Sequence, residues 1–149
     1  MAYEKAVEIL LVEDNDDDAE LTLMAFKKHN FINPIVRMRD GAEALDYLFC
    51  RGEFISRDIK DKPKIILLDL KLPKVSGFEV LKAVKNDDFL KSIPVIVMTS
   101  SQEEKDIVKS YELGVNSFIT KPVLMEKFME VVYKLGFYWL LINEGNPNL

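Results

Sequence analysis

The sequence predicts an α/β fold: a doubly wound, five-stranded parallel sheet with strand order 2-1-3-4-5. Three observations predict it. The runs Ile9-Leu10-Leu11-Val12, Ile65-Ile66-Leu67-Leu68 and Val95-Ile96-Val97-Met98 are apolar without alternation, as expected of parallel strands covered by helices on both faces. Stretches with helical spacing lie between the apolar segments, so strand and helix alternate along the chain. Pro34, Pro63 and Pro94 each stand just before a strand, where proline blocks helix continuation.

Each element follows in order. The first strand is expected over Val7–Val12, followed by a helix with Ala19, Leu23 and Phe26 on its apolar face. Asp16, Asp17 and Asp18 suit the positive end of that helix. The second strand, Ile35–Met38, leads to a helix carrying Ala42, Ala44, Leu45 and Leu48, with Cys50 expected to pack as a small hydrophobe at its end. The polar connection Arg51–Pro63 is long for a link of this kind, and such loops are often functional or mobile. The third strand is Ile65–Leu68, followed by Phe78, Leu81 and Val84 at helical spacing. After the fourth strand, Val95–Met98, the run Ser101-Gln102-Glu103-Glu104 reads as a capping box. It opens a helix with Ile107, Val108, Tyr111 and Leu113, which Gly114 stops. The fifth strand, Ser117–Ile119, precedes a helix with Phe128, Val131, Val132 and Leu135. Five strands commonly take the order 2-1-3-4-5, with the switch point between strands 1 and 3.

Composition narrows the function classes. The 149 residues carry 20 basic and 25 acidic side chains, a net charge of −5, with 48% hydrophobic and 30% charged residues. That length fits one domain with a sizeable core. The acidic balance argues against nucleic acid as a partner. The longest apolar run, Phe137–Ile142, falls far short of the roughly 20 residues a membrane helix needs, and the N-terminus has no secretory h-region. A single cysteine and a single histidine exclude an internal disulfide, a thiolate cluster and a multi-histidine zinc site. The expected setting is reducing and cytoplasmic.

In an open α/β sheet, ligands bind beyond the carboxyl ends of the strands at the switch point. Strand 1 ends in Glu13-Asp14, strand 3 in Asp69, strand 4 in Thr99-Ser100-Ser101 and strand 5 in Lys121-Pro122. Glu13, Asp14 and Asp69 should therefore converge, with Thr99 and Lys121 at the adjacent edge. Two carboxylates about 4 Å apart repel by about 4 kcal/mol at an effective dielectric near 20. Either one carboxyl keeps its proton or cations compensate. Lys121 supplies one positive charge, and Mg²⁺ suits a site of carboxylates, waters and phosphate.

The constellation resembles the receiver domain of two-component response regulators. The resemblance runs from about Glu8 to about Leu135. It rests on Val12-Glu13-Asp14, on Leu67-Leu68-Asp69-Leu70-Lys71-Leu72-Pro73 with Gly77 following, on Thr99-Ser100, and on Phe118-Ile119-Thr120-Lys121-Pro122. It implies a flavodoxin-like fold in which Asp69 accepts a phosphoryl group from a histidine kinase. Asp14 would be a direct Mg²⁺ ligand, Glu13 would hold the ion directly or through water, and Asp69 and the main-chain carbonyl of Lys71 would complete the set. Thr99 would hydrogen-bond a phosphoryl oxygen, Lys121 would pair with Asp69 or the phosphoryl group, and Phe118 would be the switching aromatic. Lys121–Pro122 is a candidate cis peptide, which only X-Pro bonds adopt cheaply. Three departures from the family's pattern stand out: Glu-Asp replaces the commoner Asp-Asp, Ser100 stands where Ala or Gly is frequent, and Leu72 replaces a frequent Met.

The whole chain, 1–149, is expected to form one receiver domain with its core at about 6–136 and an extended C-terminal helix and tail over 137–149, without an output domain. It would signal by protein–protein interaction and would not be an enzyme beyond its own phosphoryl transfer and slow autodephosphorylation. The Arg51–Asp61 insertion and Phe137-Tyr138-Trp139-Leu140-Leu141-Ile142 resemble single-domain regulators that partner phytochrome-type histidine kinases. Relatives of these form homodimers through the face of the fourth helix, fifth strand and fifth helix. Against this stand a degenerate receiver serving as a constitutive interaction module, an aspartate-nucleophile phosphatase and a flavin carrier. Such a phosphatase usually needs a second Asp where Lys71 stands, and Glu13-Asp14-Asn15-Asp16-Asp17-Asp18 would repel a flavin phosphate.

Overall fold

The computed structural model describes residues 9–29, 34–100, 112, 115 and 117–135. Five parallel strands, β1 (Ile9–Val12), β2 (Ile35–Met38), β3 (Ile65–Asp69), β4 (Val95–Thr99) and β5 (Ser117–Thr120), form one sheet in the order β2-β1-β3-β4-β5. Helices α1 (Asp16–Lys28), α2 (Gly41–Leu48) and α3 (Gly77–Asn86) and a C-terminal helix (Met125–Leu135) pack on it. The absence of alternation has the expected cause. Successive residues point to opposite faces, and both faces are covered. Leu10, Val12, Ile66, Leu68, Val95 and Val97 point into the core beneath α2 and α3. Ile9, Leu11, Ile65, Leu67, Ile96 and Met98 point into the core beneath α1 and the C-terminal helix. On the latter side Phe26 of α1 meets Phe128 edge-to-face, with ring centroids 4.8 Å apart.

The last three strands run one residue further than their hydropathy suggests: Asp69, Thr99 and Thr120 are paired within β3, β4 and β5. Hydrogen bonding thus carries polar side chains to the carboxyl edge at fixed register. Asn15 caps α1, its side chain accepting from the Asp18 N–H, while the three aspartates fill the first turn. A complete capping box opens α3, between Ser76 and Glu79. The capping box expected at Ser101–Glu104, the fourth helix, Gly114, and the segment 137–149 lie outside the described residues.

Two local expectations are refined. Cys50 stands at the end of α2, half-buried and with φ 54°, and its Sγ accepts from Arg57 Nη1 at 3.5 Å. The Cys50 N–H bonds to Tyr47 O and the Arg51 N–H to Asp46 O, which is the helix-ending arrangement that usually selects glycine. The connection Arg51–Pro63 is not structureless. Gly52–Phe54 form a 3₁₀ turn, and Phe54 packs edge-to-face on Tyr47. The Arg57 guanidinium lies 3.6 Å from the Tyr47 ring centroid and donates to the carbonyls of Tyr47 and Asp61.

Candidate functional site

The switch point between β1 and β3 brings the acidic residues together. Glu13 follows β1 with its N–H bonded to Met38 O at 3.0 Å. One side-chain oxygen accepts from the Asn15 N–H at 3.3 Å. Asp69 ends β3, and its Oδ1 accepts from the Lys71 N–H at 3.0 Å. Behind it α3 begins at Gly77, where a Cβ would stand 2.3 Å from the Asp69 carbonyl oxygen. Only glycine permits that approach. Lys121 follows β5, with its N–H on Thr99 O at 2.8 Å and a cis peptide to Pro122.

These anchors converge on one ammonium. Lys121 Nζ lies 2.5 Å from Glu13 Oε1, 2.8 Å from Asp69 Oδ2 and 3.2 Å from Asp18 Oδ2. Glu13 and Asp69 are buried, at 1% and 7% exposure, while Asp14 is exposed at the rim. Burial pushes the Glu13 carboxyl up to about 7. The adjacent Asp69 carboxylate adds to that rise, and Lys121 opposes it. For Lys121 burial works against the charged form, but Asp69 and Glu13 outweigh it and hold the ammonium above the usual lysine range.

One oxygen from each of Glu13, Asp14 and Asp69 lies within 4.8 Å of the others. Lys121 brings one positive charge to these three carboxylates and Asp18. The buried Glu13 Oε1 has its close contact with Lys121 but no aligned hydrogen bond. An oxygen-only donor set with surplus negative charge fits a hard divalent cation. His29 stands apart, at the end of α1, where its exposed ring donates from Nδ1 to Ala25 O.

The sequence-predicted residues Glu13, Asp14, Asp69 and Lys121 are thus assembled, with Lys71 contributing its N–H beside them. Thr99 lies on the neighbouring strand, its Cα paired with Thr120. Phe118 is half-buried and packs against the α2–α3 core. Two participants were not singled out by sequence. Asp18, expected to be merely a solvated helix start, reaches Lys121. Arg37 on β2 bonds to the Glu13 carbonyl oxygen. Its signal was available: a charged residue in an otherwise apolar strand.

A parallel sheet with acids and a lysine at its switch point defines a class, and residues 9–133 match the response regulator receiver domain model. The chain belongs to that family, whose role in two-component signalling is phosphorylation-dependent switching rather than metabolic catalysis. It is 42% identical over 132 residues to the probable methanogenesis regulatory protein FilR2 of Methanothrix harundinacea, covering 89% of this chain and 83% of that protein. It is 39% identical over 132 residues to the response regulator Rcp1 of Synechocystis, covering 89% and 88%. The structure of the bacteriophytochrome response regulator AtBRR superposes with a TM-score of 0.83 at 50% identity, covering 95% of this chain and 100% of that one. The Mn(2+)-bound form of Rcp1 superposes with a TM-score of 0.73 at 38% identity, covering 90% and 94%. That relative and the acidic cluster together support divalent-metal binding here. Among the described residues, no helix is long and apolar enough to cross a membrane.

Proposed function

We propose that Asp69 is the phosphoacceptor of this receiver. Its carboxylate attacks the phosphorus of a phosphohistidine on a histidine kinase. The new O–P bond forms as the N–P bond breaks, and the electron pair leaves with the imidazole. The observation that carries this reading is the Lys121 ammonium bridging Asp69 Oδ2 and Glu13 Oε1 at the carboxyl edge of the sheet. Mg²⁺ is the ion we assign, held by Glu13, Asp14, Asp69 and the main-chain carbonyl of Lys71. When bound, it supplies charge neutralisation for the transferred group.

Thr99 donates to a phosphoryl oxygen, and Phe118 shifts with it. Phosphorylation adds about −1.5 to −2 charges and new acceptor oxygens, which gives the threonine hydroxyl a reason to move. The output is binding to a downstream protein from a single receiver domain, and slow autodephosphorylation resets it. A phytochrome-type kinase as donor is supported by likeness to AtBRR and Rcp1. We further propose homodimerisation through the face of the fourth helix, fifth strand and fifth helix, and a cytoplasmic setting.

Incubation with acetyl phosphate, with and without Mg²⁺, followed by intact mass measurement tests the chemistry. One added phosphoryl group is expected in the wild type with Mg²⁺. None is expected in Asp69→Asn or after chelation. An adduct on Asp69→Asn, or none on the wild type, would overturn the proposal.

A further inference from the structure

Beside the acidic site lies a cation that the phosphoryl chemistry does not use. Arg37 occupies the third position of β2, in register with Leu11 of β1. Ile35 and Leu11 both pack on the α1 side of the sheet, so strand alternation puts Arg37 in that same row. Its side chain is only 17% exposed. The guanidinium forks. Nε and Nη2 donate to the main-chain carbonyl of Glu13 at 3.1 and 3.0 Å, and Nη1 lies 2.9 Å from Asp16 Oδ1. One rigid planar group thus ties Glu13, which follows β1, to Asp16, the first residue of α1. Asp14 and Asn15 are pinned between those two anchors.

We propose that Arg37 is a positioning residue for the divalent-ion site, locking the β1–α1 junction so that the Glu13 and Asp14 carboxylates stay beside Asp69. The inference rests on reading Glu13, Asp14 and Asp69 as an ion site. An exposed ion pair to Asp16 alone would contribute little. The fork onto a main-chain carbonyl differs because it fixes the backbone from which two of the three carboxylates project. Residues that orient ligands in this way typically change metal affinity by about 10–100-fold when removed.

Charge and position predict opposite signs here, which makes the test sharp. Removing a cation from the neighbourhood of an acidic site should, by electrostatics alone, tighten cation binding. If Arg37 positions the ligands, removing it should weaken binding. Mg²⁺ and Mn²⁺ affinities are measured by titration calorimetry on the wild type, Arg37→Ala, Arg37→Lys and Arg39→Ala, each checked for folding by thermal denaturation. Arg39 serves as the control because it reaches the same Asp16 oxygen at 3.0 Å from a side chain 65% exposed. The expected result is dissociation constants raised about tenfold in Arg37→Ala. Arg37→Lys should show a similar loss, because a single ammonium keeps the charge but not the fork. Arg39→Ala should bind as well as the wild type or more tightly. Should Arg37→Ala fail to fold, the lysine variant carries the comparison. Unchanged or tighter binding in the Arg37 variants would overturn the positioning role while leaving the ion site intact. An equal loss in Arg39→Ala would also overturn it, because the carbonyl fork would then be irrelevant. Failure of the wild type to bind either ion would overturn the site reading itself, and Arg37 would have nothing to position.

Discussion

Lys121 meets carboxylates from the end of β1, the first turn of α1 and the end of β3. Replacing it with methionine leaves Glu13 and Asp69 buried beside each other without their cation. Breaking a buried ion pair typically costs about 3–5 kcal/mol. The Glu13 carboxyl trims that cost by keeping its proton, since its surroundings already favour the neutral form. In chelator, urea denaturation of Lys121→Met should show a loss of about 3 kcal/mol, and excess Mg²⁺ should recover part of it. An equal loss with and without the ion would argue against a shared site. At this scale the sequence was informative about chemistry and silent about orientation. Glu13, Asp14, Asp69 and Lys121 could be placed because strand ends at a switch point converge. That Glu13 is buried while Asp14 sits at the rim depends on side-chain direction after β1, which hydropathy does not report. Asp18 escaped notice for a related reason: an acid in a first turn is explained by the helix dipole alone.

Asp40 caps α2, its side chain accepting from the Glu43 N–H. That backbone hydrogen bond, against some burial and aided by Lys74, holds its carboxyl below the usual 3.8. A depressed acid contributes stability above its unfolded value and loses it as pH falls through the folded one. Asp40→Ala should therefore cost about 1 kcal/mol at neutral pH, and the gap to the wild type should close in the acid range. Denaturation curves across pH check this, and a gap that widened in acid would contradict it. Gly77→Ala would thrust a Cβ to 2.5 Å from Leu70 Cα as well as against the Asp69 carbonyl. Both are backbone atoms, so β3 or α3 must shift. We expect a loss of about 2 kcal/mol together with slower phosphorylation from acetyl phosphate. Normal stability and rate would show that the α3 start yields freely. Gly77 was visible in the sequence as part of a motif, but not its reason, because contact between two backbones leaves no mark in composition. The order within Arg51–Pro63 was hidden similarly: Arg57 reads as a polar loop residue until Tyr47 is seen under it.

Over the whole molecule, two apolar cores on opposite faces of one sheet explain why five unbroken or half-broken apolar runs sufficed to give a parallel sheet covered on both sides, whereas the strand order came from the arrangement common to five-stranded sheets of this class. Phe128 is fully buried and ties the C-terminal helix to Phe26 of α1. Phe128→Ala should cost about 3–5 kcal/mol in a single cooperative transition, whereas loss of only the last helix, seen as a separate early phase, would contradict a shared core. Divalent ions should stabilise the entire fold, by about 2.7 kcal/mol at a concentration a hundred times the dissociation constant. Chelation should lower the melting temperature of the wild type and leave that of Asp14→Ala nearly unmoved. The same layout gathers the acidic cluster at one end of the sheet. Arg51–Pro63 delivers the chain to the amino end of β3, while Asp69 sits at the other end of that strand. Arg57 fastens this connection to α2 rather than to the site. Ser56, exposed within it, is accordingly a position at which a fluorophore could be grafted, giving an optical handle on partner capture in living cells from the end of β3 opposite Asp69.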